Sequence, residues 1–256
     1  MNSDLRVHLG SRTYPIYFRQ DHLPELVERT LALAKTQRIV VITDDNVERL
    51  HAEPFVQALR SAGPRVAFLS IPAGEAYKSL DTVRSLYEKC LQFGIDRDTP
   101  IVSVGGGVVG DVAGFVAATI LRGVPFVQVP TTVLSQVDSS VGGKVGVNLA
   151  GGKNLVGAFY QPNWVYIDPT YLKTLEVDER RSGLAEAVKH GLLADLSLLD
   201  FIATRADDLV TGDVEALGHV IQRAVAVKIA VVEEDEREQG RRAILNLGHT
   251  MGHAFE

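Results

Sequence analysis

Two histidines, His249 and His253, stand four positions apart in the closing stretch LNLGHTMGHAFE. In a helix, both imidazoles would lie on one face, one turn apart. That spacing suits a shared metal ion, and equally a buried pair satisfied by hydrogen bonds. Thr250 follows His249, so the glutamate base of the His-Glu-x-x-His zinc helix is missing. Gly248 and Gly252 leave the backbone bare for close approach by another group. The pair alone does not decide the matter.

Other stretches bear on it. IVSVGGGVVGD runs a buried-strand pattern into Gly105, Gly106, Gly107 and Gly110, with a helix expected to begin near Asp111. Gly105-x-Gly107-x-x-Gly110 fits the dinucleotide fingerprint, in which bare backbone and a helix N-terminus accept a pyrophosphate. A tight turn with close helix packing explains the same glycines. An earlier strand ends in TDDN, which puts Asp44 where a carboxylate can hold ribose hydroxyls. VPTTVLSQVDSSVGGKVGVN and GGKNLVGAFYQP gather Thr131, Thr132, Asp138, Ser139, Ser140, Lys144, Lys153 and Asn154 among glycines. Such residues make a surface loop or a structured cleft, and lysines beside glycines suit a dense anion. In GLAEAVKHGLLAD, Glu186 and Lys189 share a helix face. Their surroundings are small and apolar, where a carboxylate needs a cation or a metal. Lys228 sits inside AVAVKIAVV, and Arg242 precedes Asn246. Each cation can snorkel to solvent, but their recurrence on apolar helices argues for one shared anionic site.

The elements that must position these residues alternate strand and helix through the first two thirds of the chain. RIVVITDDN, RVAFLSIPAG and TPIVSVGGG are apolar strands separated by amphipathic helices, the pattern of a parallel sheet covered on both faces. From about Thr170 onward only helical periodicity remains. The expected fold is α/β: a Rossmann-like, parallel-sheet nucleotide-binding domain over 1–169, then an all-helical metal- and substrate-binding domain over 170–256. The chain stops within a helix-like pattern without cap or breaker, as expected of a polypeptide that continues. A net charge of −6 lacks the basic footprint of a nucleic-acid binder. No run of eighteen apolar residues suits a membrane span, and a cytoplasmic location is expected. The single cysteine, Cys90, lies in a helical pattern and is expected to be a core thiol.

Taken together, GGGVVGDVAGFVAAT, RGVPFVQVPTTVLSQVDSSVGGKVGVN, GKNLVGAFYQP, GLAEAVKHG and LNLGHTMGHAFE, in that order, closely resemble the 3-dehydroquinate synthases, a family of sugar phosphate cyclases. VHLGSRTYPIYF is similar to that family's usual opening. The resemblance implies a lyase of the shikimate pathway that depends on NAD and on zinc or cobalt. Its substrate would be 3-deoxy-D-arabino-heptulosonate 7-phosphate, converted to 3-dehydroquinate and phosphate by transient oxidation, phosphate elimination, re-reduction and intramolecular aldol closure. Glu186 and His249 would be two of three zinc ligands, the third lying beyond Glu256, and His253 a catalytic residue. With two ligands, this chain is expected to hold zinc weakly and to turn over little. Lys144, Asn154, Lys189, Lys228, Arg242 and Asn246 match substrate-pocket positions. Arg122 matches a position that reaches the phosphate from the neighbouring subunit of a homodimer. Asp44, Asn46, Glu75, Lys78, Gly106, Gly107, Asp111, Thr131, Thr132, Asp138 and Lys153 match the NAD site, to which Lys144 also contributes. Related glycerol and iron-dependent alcohol dehydrogenases share the implied fold. Cyclases that make cyclitols start from substrates without a carboxylate, against which Lys228 and Arg242 argue.

Overall fold

A computed structural model describes residues 4–248. The chain opens with β1 (Leu5–Val7) and β2 (Tyr14–Phe18), then α1 (Leu23–Leu33) and β3 (Arg38–Asp44). Between β3 and β4 the chain forms α2 (Asp45–Val47), a π-helical turn (Glu48–Ala52) and α3 (Glu53–Ser61). The wider turn precedes Pro54, whose ring nitrogen cannot donate back to the preceding turn. β4 (Arg65–Ile71) leads to α4 (Leu80–Phe93). Ser79 caps α4 at its start, and Gly94, left-handed at φ +81°, closes it. β5 (Ile101–Gly105), α5 (Gly107–Thr119) and β6 (Phe126–Pro130) follow. A second π-helical turn (Ser135–Ser139) precedes the hairpin of β7 (Lys144–Leu149) and β8 (Gly152–Phe159), and β9 (Trp164–Ile167) returns to the sheet. The helical part comprises α6 (Val177–Ala194), α7 (Leu196–Thr204), α8 (Ala206–Thr211) and α9 (Val214–Glu234).

Among the described residues seven strands form one sheet in the order β1-β2-β9-β6-β5-β3-β4. All neighbours in it are parallel except β1 with β2. Side chains alternate faces along a strand, and β3 shows it. Ile39 and Val41 pack with α1 and α3 on one side, while Val40 and Ile42 pack with α4 and α5 on the other. A third core joins Ile16, Phe18, Val165 and Ile167 of the sheet to Leu184, Leu217, Ile221 and Val225 of the helices. The helical part is thus seated against the β1-β2-β9 side. Cys90 is fully buried within the α4–α5 core.

The last described residues differ from the expected helix. Arg241–Asn246 is a 3-10 turn, and Gly248 adopts φ +85°. Asp235 explains the geometry just before it, because its carboxylate accepts from the amides of Gln239, Gly240 and Arg242. That local turn competes with helix continuation out of α9.

Candidate functional site

A cleft of about 1820 Å³ lies at the carboxyl ends of β3, β5 and β6, where open α/β sheets bind ligands. Helix α5 begins at Gly107, not near Asp111, because Gly106 already serves as its N-cap and carries no capping side chain. The first amides of α5 therefore face the cleft without an intrahelical partner. A Cβ on Gly106 would meet Thr132 Cγ2 at 3.1 Å, and one on Gly107 would meet Ser139 Oγ at 3.2 Å. The outer glycines of the motif serve packing. A Cβ on Gly105 would strike Val109 at 2.7 Å, and one on Gly110 would strike Gln128 Oε1 at 2.9 Å.

Around this helix end Asp44, Asn46, Glu75, Lys78, Asp111, Thr131, Thr132 and Lys153 line the same wall. Asp44 accepts from the amides of Asn46 and Val47, fixing the chain as it leaves β3, and burial raises its pKa. Asp111, one turn into α5, pairs with Lys78 at 2.6 Å. Burial pushes the Asp111 carboxyl up to about 6 in spite of that ammonium. Lys78 also donates to Asn154 Oδ1 at 2.5 Å, so Asn154 is tied to this wall. Asn148, unremarkable by residue type and spacing, joins the two strands of the hairpin to Glu75. Its Nδ2 donates to Glu75 Oε1 at 2.7 Å, and its Oδ1 accepts from the Asn154 amide at 2.8 Å.

The opposite wall is cationic, and its charges are matched locally. Lys189 pairs with Glu186 one turn before it on α6. Lys228 of α9 donates to the backbone oxygen of Asp138 at 2.5 Å and to its Oδ1 at 2.6 Å. Burial opposes the charge on Asp138, yet the Lys228 ammonium wins and holds the carboxyl well below its usual range. Lys144 pairs with Glu238, whose other oxygen accepts from Asn246 Nδ2 at 3.0 Å. Arg242 is buried, and its guanidinium donates to the backbone oxygens of Gly142 and Glu236. Gly142 must be glycine here, since it adopts φ +95° and a Cβ would sit 2.3 Å from Arg242 Nη2.

Glu238 was not foreseen. It lies in the acidic run EEDEREQG, which reads as a solvated face, yet its backbone is left-handed at φ +56° and its side chain lines the cleft. Burial opposes its charge, but Lys144 and Asn246 hold its carboxyl below the usual range. His190, also unforeseen, is buried behind the wall.

Arg122 does not line the cleft of its own chain. It is exposed after α5, in a turn where Leu121 and Arg122 both take positive φ, +51° and +67°. His249 and His253 lie outside the described residues. Glu186 lines the cleft, and among the described residues no group of three His, Cys, Asp or Glu could hold a metal ion. The walls thus offer a helix end for one anion and a cluster of exchangeable ion pairs for another.

Known proteins resemble this chain in sequence and in fold. Family models described as 3-dehydroquinate synthase N-terminal and C-terminal match residues 68–182 and 183–256. A 3-dehydroquinate synthase of Acetivibrio thermocellus is 48% identical over 253 residues, covering 98% of this chain and 70% of the relative. That of Symbiobacterium thermophilum is 49% identical with the same coverage. Among solved structures, a 2-epi-5-epi-valiolone synthase from Streptomyces hygroscopicus with NAD+ and Zn2+ bound superposes with a TM-score of 0.87 at 29% identity, over 95% of this chain and 68% of that one. A 2-deoxy-scyllo-inosose synthase complexed with carbaglucose-6-phosphate, NAD+ and Co2+ gives 0.86 at 30% identity, over 98% and 68%.

Proposed function

The chain belongs to the 3-dehydroquinate synthase family, and on that premise we propose how its cleft converts 3-deoxy-D-arabino-heptulosonate 7-phosphate to 3-dehydroquinate and phosphate. One observation carries the reading. A glycine-lined helix N-terminus and four cationic side chains, Lys144, Lys189, Lys228 and Arg242, line a single cleft of a protein whose net charge is −6. Such a cleft concentrates a small, multiply anionic substrate without attracting polyanions to the whole surface.

The residues fit the cofactors of the related cyclases. The uncapped start of α5 at Gly106 and Gly107 suits the pyrophosphate of NAD, with Asp44, Asn46, Glu75, Lys78, Thr131, Thr132 and Lys153 around the rest. A carboxylate from Glu186 with an imidazole from His249 is a donor set that suits zinc or cobalt. When bound, NAD supplies reversible hydride transfer and the metal supplies Lewis acidity for developing oxyanions. The chain's own groups do the rest. Lys144, Asn154, Lys189, Lys228, Arg242 and Asn246 bind and orient the phosphate and carboxylate of the substrate. Glu238, Glu186 and Asp138 release Lys144, Lys189 and Lys228 as those anions arrive. His253 acts as a further catalytic residue. In a homodimer, Arg122 reaches the phosphate held by the neighbouring subunit. The class of reaction is a phosphate-eliminating carbon–oxygen lyase, and the location is the cytoplasm. No helix among the described residues is long and apolar enough to cross a membrane.

The test is product formation by the full-length protein from the heptulosonate phosphate with NAD and zinc, followed by inorganic phosphate release and absorbance at the NADH wavelength. The expected result is one phosphate per dehydroquinate and no net NADH. Turnover of glucose 6-phosphate or a simple heptulose phosphate, but not of the keto acid, would move the chain to the cyclitol-forming cyclases. Net NADH from an alcohol would move it to the dehydrogenases.

A further inference from the structure

His190 of α6 has no exposed surface, and neither ring nitrogen meets a hydrogen-bond partner among the described residues. Native proteins rarely leave a buried polar group in that state. The ring is not remote from partners, however. Asp138 Oδ1, on the second π-helical turn, lies 4.0 Å from Nε2, about 1 Å beyond hydrogen-bond length. The Ala224 backbone of α9 faces the ring as well. His190 therefore stands where α6, α9 and the π-helical turn meet, directly behind the Asp138–Lys228 pair.

That pair poses a problem of partners. Lys228 now gives hydrogen bonds to both the backbone oxygen and Oδ1 of Asp138. If Lys228 serves the substrate, as the preceding reading has it, the ammonium must give up some of this contact. A desolvated carboxylate that loses its donor is costly, and it needs another. Lys189 pairs with Glu186 here, and in the preceding reading it also turns to the substrate. His190 can supply the donor, since a neutral imidazole carries one ring N–H, which its tautomer directs either to the Ala224 backbone or to Asp138.

We propose that His190 is a positioning residue that takes over Asp138 when Lys228 turns to the substrate. Its Nε2–H closes the last ångström onto the carboxylate. No proton is transferred, and Asp138 keeps its charge and its place. A neutral donor is suited to this, because Lys189 and Lys228 already supply positive charge and burial disfavours more. The inference rests on the assignment of Lys228 to the substrate and Asp138 to the cofactor side.

The test compares wild-type holoenzyme with His190→Phe, which keeps bulk but has no donor, and His190→Gln, whose amide N–H reaches toward the Nε2 position. The handover predicts a KM for the heptulosonate phosphate raised about tenfold or more in His190→Phe. NAD affinity without substrate should be unchanged, because Lys228 still holds Asp138 in that state. His190→Gln should recover most of the loss. A readout independent of variants is the ring tautomer of wild-type His190 by long-range nitrogen–proton NMR. It should be Nε2–H, with the proton moving downfield when NAD and the heptulosonate phosphate are added. An unchanged KM in His190→Phe, equal loss in both variants, or an Nε2 without a proton would overturn the proposal. A full-length wild-type protein that binds no NAD and releases no phosphate would instead overturn the functional reading beneath it.

Discussion

Asp111, partly buried at the cleft, and His190, fully buried, are titratable groups driven in opposite directions by the same cause, the loss of solvent. Burial raises Asp111 from 3.8 to about 6 and lowers His190 from 6.5 to about 4. For Asp111, the unfolded chain gives up its proton first. The stability it contributes is therefore full below pH 3.8 and lost as pH rises to about 6. For His190, the unfolded chain takes up its proton first, so stability is full above pH 6.5 and lost as pH falls to about 4. Each is worth at most about 3 kcal/mol. Melting temperatures measured from pH 4 to 7 should show Asp111→Asn gaining on wild type as pH rises, and His190→Phe gaining as pH falls. Parallel curves would mean that neither group titrates as its surroundings require. At this scale the sequence disclosed the cations better than their partners. Lys228 and Arg242 stand out because charge inside an apolar helix or beside a motif is anomalous. Glu238 does not, because an acid among acids looks solvated; only its left-handed backbone turns it inward.

Among the elements, α5 and the hairpin decide the shape of the cleft. The strand–glycine–helix unit was legible, but its helix starts four residues early because Gly106, rather than a polar side chain, caps it. The hairpin was not legible as strands. β7 and β8 lack a clean alternation, and Gly146 pairs with Gly157, where a Cβ would strike the facing backbone at 2.6 and 2.3 Å. Glycines here permit a ladder that side chains would block, so their sequence resembles a loop. The two kinds of glycine in α5 can be separated by experiment. Gly107→Val crowds Ser139 at the helix start and should weaken NAD binding about tenfold or more with little change in melting. Gly114→Val drives into Val145 Cγ1 at 2.4 Å and Phe126 at 3.0 Å, and should cost about 1–3 kcal/mol by prying the hairpin from α5. NAD titration and thermal melting of both proteins check the distinction. Equal effects on both readouts would mean that the helix start is a packing feature alone.

At the scale of the whole molecule, the α/β character and the change to helices were readable from periodicity. The seating of the helical part was not, because no local pattern says that α6 and α9 share a core with β2 and β9. That shared core matters for function. It brings Lys189 and Lys228 from the helices opposite Gly106 and Gly107 from the sheet, across one cleft. That convergence is tested most directly by a crystal structure of the protein with NAD and the heptulosonate phosphate bound. The pyrophosphate should lie against the start of α5, with Lys228 drawn from Asp138 toward a substrate anion. A nucleotide bound elsewhere, or a substrate that leaves Lys144, Lys189 and Lys228 untouched, would contradict it.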